Sequence, residues 1–260
     1  MQYFIVGLLV AVVTAYLTVK AKALTIGGAT AAGIMILCVC LFGGWFGLVF
    51  LLSIYALITL VDRVVKDRLT KIIGGINKKH GPRDIIQVAA NGLPATISLG
   101  LYALTGQWVF LIGYAVGITE AMADSVASDI GVLSKKDPVS ICRFRRIPKG
   151  LSGGVSLLGS SASIVATLVC AGIYYLFFFD LFGAAMVVLF GNIGCLIDSI
   201  LGDMLQEKFQ CGVCGQLTEK PEHCGQPTTR VAGIPHLDNC LVNLISNALS
   251  VLIAVLALAW

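Results

Sequence analysis

Two carboxylates and two hydroxyls stand together in the stretch Ala123-Asp124-Ser125-Val126-Ala127-Ser128-Asp129-Ile130-Gly131, inside a segment that otherwise reads as a membrane span. Glu120 precedes Asp124 by one helical turn and shares its face. A weaker echo, Asp198-Ser199-Ile200-Leu201-Gly202-Asp203, begins 74 residues after Asp124, and both segments follow Asp-Ser-x-x-x-Asp. Ionisable groups are costly inside a bilayer and mark functional sites there. Ion pairing for packing is the plainer reading, but no Lys or Arg falls within a predicted span. A divalent cation is then the natural partner, and Mg²⁺ prefers one or two carboxylates completed by phosphate oxygens and water. Asp124, Asp129 and Asp198 are accordingly expected to be catalytic and to bind Mg²⁺. On an ideal helix Asp129 is turned about 140° from Asp124, so the two are expected to point the same way only if the helix breaks, which Ser125 and Ser128 would ease.

A second constellation is Pro148-Lys149-Gly150-Leu151-Ser152-Gly153-Gly154-Val155-Ser156, where a basic loop enters a predicted helix. Glycines let backbone N–H groups close on an anion, and a helix N-terminus carries partial positive charge. The Gly-Lys-Ser/Thr order of a Walker A loop is absent, and glycine-rich stretches in membrane helices also serve close packing. With Arg143, Arg145, Arg146 and Lys149 alongside, phosphate binding by Gly150, Ser152, Gly153, Gly154 and Ser156 is the stronger reading. Gln87, Asn91, Asn192, Asp238, Asn239, Asn243 and Asn247 form a third set. The asparagines at 239, 243 and 247 make one helical stripe. Interhelical hydrogen bonding accounts for Asn247, whereas Asn91, Asp238 and Asn243 are candidates for the phosphate site.

Cys211-x-x-Cys214 followed by His223-Cys224 has zinc-ligand spacing. A structural Zn²⁺ on Cys211, Cys214, His223 and Cys224 is expected, with His236 as the alternative to His223 and free thiols as the plainer reading. Cys38, Cys40, Cys170 and Cys195 fall in spans and read as apolar packing residues. His80 lies in a solvated basic loop and is assigned no role.

The elements that must position these groups are membrane helices. The chain of 260 residues is 57% hydrophobic and 12% charged, with a mean hydropathy of +0.91. A soluble domain carries about a quarter charged residues, so this is a polytopic, all-α transmembrane bundle. Residues 1–260 read as one transmembrane domain, with a polar loop over 207–236. Spans are predicted near 3–19, 85–105, 108–133, 153–178 and 181–205, with one more running to Trp260. The apolar run from Ile26 to Val61 exceeds the roughly 20 residues of one crossing, and Gly43-Gly44 divides it into two. About eight crossings result, and every Lys and Arg then falls in loops on one face. That face is expected to be cytoplasmic, with both termini outside and the cell (inner) membrane as location. Met1-Gln2-Tyr3-Phe4 lacks the basic region of a secretory signal. At about 1.5 Å per residue, Asp129 and Asp124 lie about 7 and 15 Å inside the cytoplasmic end of their span, and Asp203 and Asp198 about 6 and 13 Å inside theirs. The two acid pairs can therefore face one another.

The segments Asp84 to Gly92, Ala123 to Gly131, Gly150 to Gly159, Asp198 to Gln206 and Leu237 to Asn243, in that order, resemble an integral-membrane family. It includes the plant phytyl-phosphate kinase of tocopherol synthesis and uncharacterised prokaryotic members. The resemblance runs from about Gly27 onward, and the family is distantly similar to CTP-dependent polyprenol kinases and cytidylyltransferases. It implies that Asp124 and Asp129 handle Mg²⁺, that Gly150, Gly153, Gly154 and Ser156 cradle phosphates, and that Asp198 and Asn243 complete the site. The family usually carries Glu at the Asp129 position and a small residue at Asp203, so no family role is carried to Asp203.

The function expected is Mg²⁺-dependent phosphoryl transfer from a nucleoside triphosphate, CTP favoured, to an isoprenoid phosphate or its alcohol at the cytoplasmic face. The lipid chain would lie between spans. No nucleic-acid partner is expected, and nothing in the sequence fixes an oligomeric state. The alternative is a transporter or flippase for a lipid phosphate or ion. Its weakness is that both Asp-Ser-x-x-x-Asp segments run the same way through the membrane, unlike an inverted repeat.

Overall fold

The computed structural model describes residues 1–73 and 81–260; Lys78, Lys79 and His80 lie outside the described residues, as do the side chains of Lys66 and Asp67. Among the described residues seven helices are long and apolar enough to cross a membrane. They are α1 (Gln2–Lys20), α2 (Ile26–Ile73), α3 (Ile85–Thr105), α4 (Trp108–Gly131), α5 (Leu157–Phe178), α6 (Leu181–Met204) and α7 (Asn239–Leu258). Gly44 interrupts α2 with φ 55° and ψ −140°, a conformation open to glycine and strained for residues with a Cβ. The chain turns back there: the Val39 carbonyl reaches the backbone of Gly47, whereas eight residues of straight helix would hold them about 12 Å apart. Residues 26–43 and 45–73 are thus two legs, which is in keeping with the about eight crossings expected.

Three boundaries differ from the sequence reading. The helix after Gly44 runs on to Ile73, so Arg63, Arg68 and Lys71 ride on a helical extension rather than a loop. Nothing in Asp62–Ile73 breaks a helix, since the stretch holds neither Gly nor Pro. Helix α4 is continuous through Gly131, so the break that Ser125 and Ser128 could have eased does not occur. Helix α5 begins at Leu157 instead of residue 153, capped by the Ser156 side chain accepting from Gly159 N at 3.1 Å. The preceding residues are spent on a small hairpin, β1 (Val139–Ser140) with β2 (Gly154–Val155).

Helix α4 is the axis of the bundle. Buried residues make up 83% of its apolar window, against 11–44% for the other spans, and α2, α3, α5, α6 and α7 all pack on it. Tyr114 on α4 donates to Gly47 O at 2.7 Å, fixing the second leg of α2 against this axis. Aromatic rings gather at one end of the bundle, where Trp45 meets Tyr3, Trp108 meets Tyr102 and Phe178, and Phe46 meets Phe177 and Phe178. The charged loops gather at the other. There Arg83 is tied by its backbone to Ala23 O at 2.9 Å and Thr25 N at 3.0 Å, closing the α1–α2 corner against the start of α3.

The 207–236 loop holds the longest departure from helix among the described residues. A three-stranded antiparallel sheet, in order β4 (Leu217–Thr218), β3 (Lys208–Gln210), β7 (Thr229–Ala232), stands beside a hairpin of β5 (Glu222–His223) and β6 (Gln226–Pro227).

Candidate functional site

A cavity of about 1020 Å³ opens at the charged end and wraps the last turns of α4. That volume suits a ligand larger than a metabolite fragment. Asp124, Asp129 and Asp198 all line it, as do Ser125 and Ser128. Because α4 stays helical, Asp124 and Asp129 face different sectors of one cavity, about 140° apart around the axis. Among the described residues these three carboxylates do not close on a single point in the manner of a preformed cage. Such a donor set, oxygen only and open to the cavity, fits an ion that keeps most of its shell for water and phosphate.

Behind Asp198 a buried polar chain crosses the bundle. Asn247 donates to Glu120 Oε2 at 2.6 Å and to Gly117 O at 2.7 Å. The Ser246 hydroxyl lies 3.0 Å from both Glu120 Oε1 and Asp198 Oδ2. The Asn243 amide, turned so that its nitrogen meets acceptors, donates to Asn239 O at 2.8 Å and Asp198 Oδ2 at 3.2 Å. Asn91, bonded to Gln87 O at 2.8 Å, adjoins Asn243, and both line the cavity. Glu120 and Ser246 are therefore members of the site's supporting chain that the sequence reading left without a role. The signal was present: Ser246 continues the 239–243–247 stripe and Glu120 lies one turn from Asp124.

The glycine-rich loop forms the cavity's charged-end wall, with Lys149, Gly150, Ser152, Gly153, Gly154 and Ser156 all on its surface. Two acids brace it from behind. Glu219 of the Cys/His loop accepts from Ser152 N at 2.7 Å. Asp203 accepts from the Ser140 hydroxyl and from Cys142 N, and Lys208 Nζ lies 3.8 Å from it. Burial pulls the Lys208 amine below its ordinary range, and Asp203 and Glu219 counter that. Gly153, with φ 84°, rests directly on the Asp203 backbone, where a Cβ would collide. The second Asp-Ser-x-x-x-Asp segment thus divides its labour: Asp198 faces the cavity and Asp203 anchors a loop. Asp203 does not line the cavity, so the two acid pairs do not face each other there as pairs.

The basic residues are rearranged relative to expectation. Arg143, Arg145 and Arg146 are exposed and do not line the cavity, because the β1–β2 hairpin carries them outward. Lys149 turns in and donates to Ser134 O. The arginines at the cavity are Arg63 and Arg83, the latter paired with Asp62 at 3.1 Å. No local pattern sets these two apart from the other positives between spans, so only the fold could select them. Asp238 is the N-cap of α7, accepting from Cys240 N and Leu241 N at 3.0 and 3.1 Å, and does not line the cavity. Cys40 and Cys170 are core residues as expected, but Cys195 lines the cavity beside Asp124.

In the Cys/His loop the ligand atoms of Cys211, Cys214, His223 and Cys224 lie within 4.8 Å of one another. The thiols of Cys214 and Cys224 approach the same ring nitrogen, His223 Nδ1, at 3.5 and 3.3 Å. Hydrogen bonds from the Cys214 backbone and from His223 draw the Cys211 thiol down to about 6, while the neighbouring Cys214 sulfur and burial push Cys224 up to about 11. Three sulfurs and one imidazole nitrogen at this spacing fit tetrahedral Zn²⁺. His223, not His236, completes the set; the His236 backbone bonds to Glu207 instead.

Comparison with known proteins places this chain in a family. The model of the integral membrane protein family DUF92 matches residues 9–251. An uncharacterised membrane protein of Methanocaldococcus jannaschii, MJ0933, is 30% identical over 239 residues, covering 88% of this chain and 91% of its own. Protein PGR of Arabidopsis thaliana is 30% identical over 234 residues, 75% of this chain and 78% of its own. The chloroplastic protein VTE6 of the same plant is 26% identical over 182 residues, 68% of this chain and 47% of its own. No solved structure matches.

Proposed function

The chain belongs to the DUF92 family of integral membrane proteins, and from that premise we propose that it is a phosphotransferase, moving a phosphoryl group from a nucleoside triphosphate to an isoprenoid phosphate at the cytoplasmic membrane face. The observation that carries the reading is the meeting of three features in one intramembrane cavity: the carboxylates Asp124 and Asp198, a glycine-rich wall, and Arg63, Arg83 and Lys149. The resemblance of the same motifs to the family of the plant phytyl-phosphate kinase supplies the acceptor class.

In phosphoryl transfer positioning and charge stabilisation do most of the work. Asp124 and Asp198, with Asp129 from its own sector, would hold Mg²⁺, which supplies charge neutralisation at the phosphates. Backbone N–H groups from Gly150 to Ser156 would meet the triphosphate, and CTP is the favoured donor. Ser246 and Asn243 fix the Asp198 carboxylate, and Asn247 fixes Glu120 behind it. A phosphate acceptor is already a nucleophile and needs no strong base, which agrees with the cavity's lining of carboxylates, amides and hydroxyls. A Zn²⁺ on Cys211, Cys214, His223 and Cys224 would be structural, holding the loop from which Glu219 reaches the glycine-rich wall. The unlike places of Asp198 and Asp203 add to the weakness of the transporter reading, since only Asp198 of the second segment lines the cavity.

Purified protein with Mg²⁺, labelled CTP or ATP, and phytyl or geranylgeranyl monophosphate tests this directly. Diphosphate product that falls at least about a hundredfold in Asp124→Asn, at unchanged elution on size exclusion, is the expected outcome. Absence of nucleotide binding and of product with every acceptor, phosphate or alcohol, overturns the proposal; vesicle transport of lipid phosphate would then be measured on the same variants.

A further inference from the structure

A residue that lines a cavity and is also exposed on the outside of the bundle marks an opening in the cavity wall. Between α5 and α6 two apolar residues meet that description: Ile164 and Leu196 line the cavity, are 50% and 49% exposed, and share helix faces with Leu157, Leu168 and Leu189, which are exposed and do not line it. Ile164 lies seven residues inside the start of α5 and Leu196 eight residues inside the end of α6. Both therefore sit about 10–12 Å into the span, level with Asp124, which lies about 10 Å from the end of α4. An opening at that depth faces the bilayer rather than water.

The slot has limits on every side. Deeper in the membrane α5 and α6 are laced together, Asn192 donating to Thr167 at 2.8 Å, while Ser163, level with Ile164 but on the cavity side of α5, donates to Asn192 at 2.9 Å. At the charged end the glycine-rich wall closes it, Ser152 and Gly153 lying against Gly202 and Asp203. Cys195, beside Asp124, forms the inner threshold. The other mouth is of opposite character, bordered by Arg63, Gly81 and Arg83. A wholly water-soluble ligand needs the second mouth alone. Two mouths, one apolar at membrane depth and one basic at the membrane face, suit a pair of ligands that must meet while each stays in its own phase.

We propose that the gap between α5 and α6 is a lateral portal for an amphiphile: its apolar chain stays in the bilayer across Ile164 and Leu196 while its anionic head reaches the Asp124 sector. The identity of the chain as a single isoprenoid rests on the phosphotransferase reading; the opening itself does not. Chain-length selectivity would then reside in this slot.

The test uses the full chain in nanodiscs and a farnesyl monophosphate bearing a diazirine on its chain. Photolysis is expected to label the 160–164 and 195–199 segments. Labelling of those segments should fall at least tenfold in the Ile164→Trp/Leu196→Trp double variant and stay unchanged in Leu168→Trp, which is 55% exposed on α5 and does not line the cavity. Label at other helices in the unsubstituted protein, which needs no variant to fold, overturns the portal, as does a second copy of the chain found cross-linked across Ile164 and Leu196. Label at the slot with no transfer from CTP or ATP keeps the portal and removes the kinase reading. Transfer with label elsewhere does the reverse.

Discussion

Asn247 shows how one amide can matter to a candidate site inside the membrane without lining its cavity. It supplies hydrogens to Glu120 and to the Gly117 carbonyl, both inside the bundle. The stripe at 239, 243 and 247 announces interhelical hydrogen bonding, and Asn247 does form it; that its partner is the acid behind the site is visible only in the fold. Asn247→Ala should lower stability by about 1–2 kcal/mol, the upper range for polar contacts between membrane helices, seen as a lower thermal midpoint in detergent. Ser246→Ala separates Glu120 from Asp198. Its expected signature is a loss of turnover of about tenfold with nucleotide affinity retained, because the hydroxyl positions a carboxylate and does not meet the triphosphate. Equal losses in both quantities would assign Ser246 to binding instead.

At the scale of elements, the glycine-rich loop owes its shape to what stands behind it. Gly153 has a left-handed φ and no room for a Cβ against Asp203, so Gly153→Ala must move the loop. Such strain costs on the order of 1–3 kcal/mol, and nucleotide affinity measured by calorimetry should fall at least tenfold. Gly172→Ala, with open space around it and an ordinary φ, is the matched control and should change nothing. The Cys/His loop bears on the same wall through Glu219. One zinc per chain is expected by elemental analysis; Cys214→Ser should lower that content and also weaken nucleotide binding, since Ser152 loses its brace. Weakened binding with zinc content intact would separate the two.

For the whole molecule, about eight crossings with the described basic loops at the cavity end predict a sidedness. A reporter fused after Trp260 should be active only on the non-cytoplasmic side, the side of the aromatic rings. A cytoplasmic reporter signal would turn the cavity's basic mouth away from the nucleotide pool and remove the phosphotransferase reading at once.

The sequence by itself determined the membrane class, the approximate number of crossings and the chain reversal at Gly44, because hydropathy and glycine act locally along the chain. It also singled out Asp124, Asp129, Asp198 and the Cys/His set, because ionisable and ligating groups are conspicuous against an apolar background. Only the tertiary structure decided that α4 is the central axis, that Asp203 anchors a loop while Asp198 faces the cavity, and that Arg63 and Arg83 take the place expected for Arg143, Arg145 and Arg146. Those outcomes depend on which helix faces which, and on a two-residue hairpin that turns three arginines outward. Such choices are settled by packing between segments far apart in the chain, and no local pattern records them.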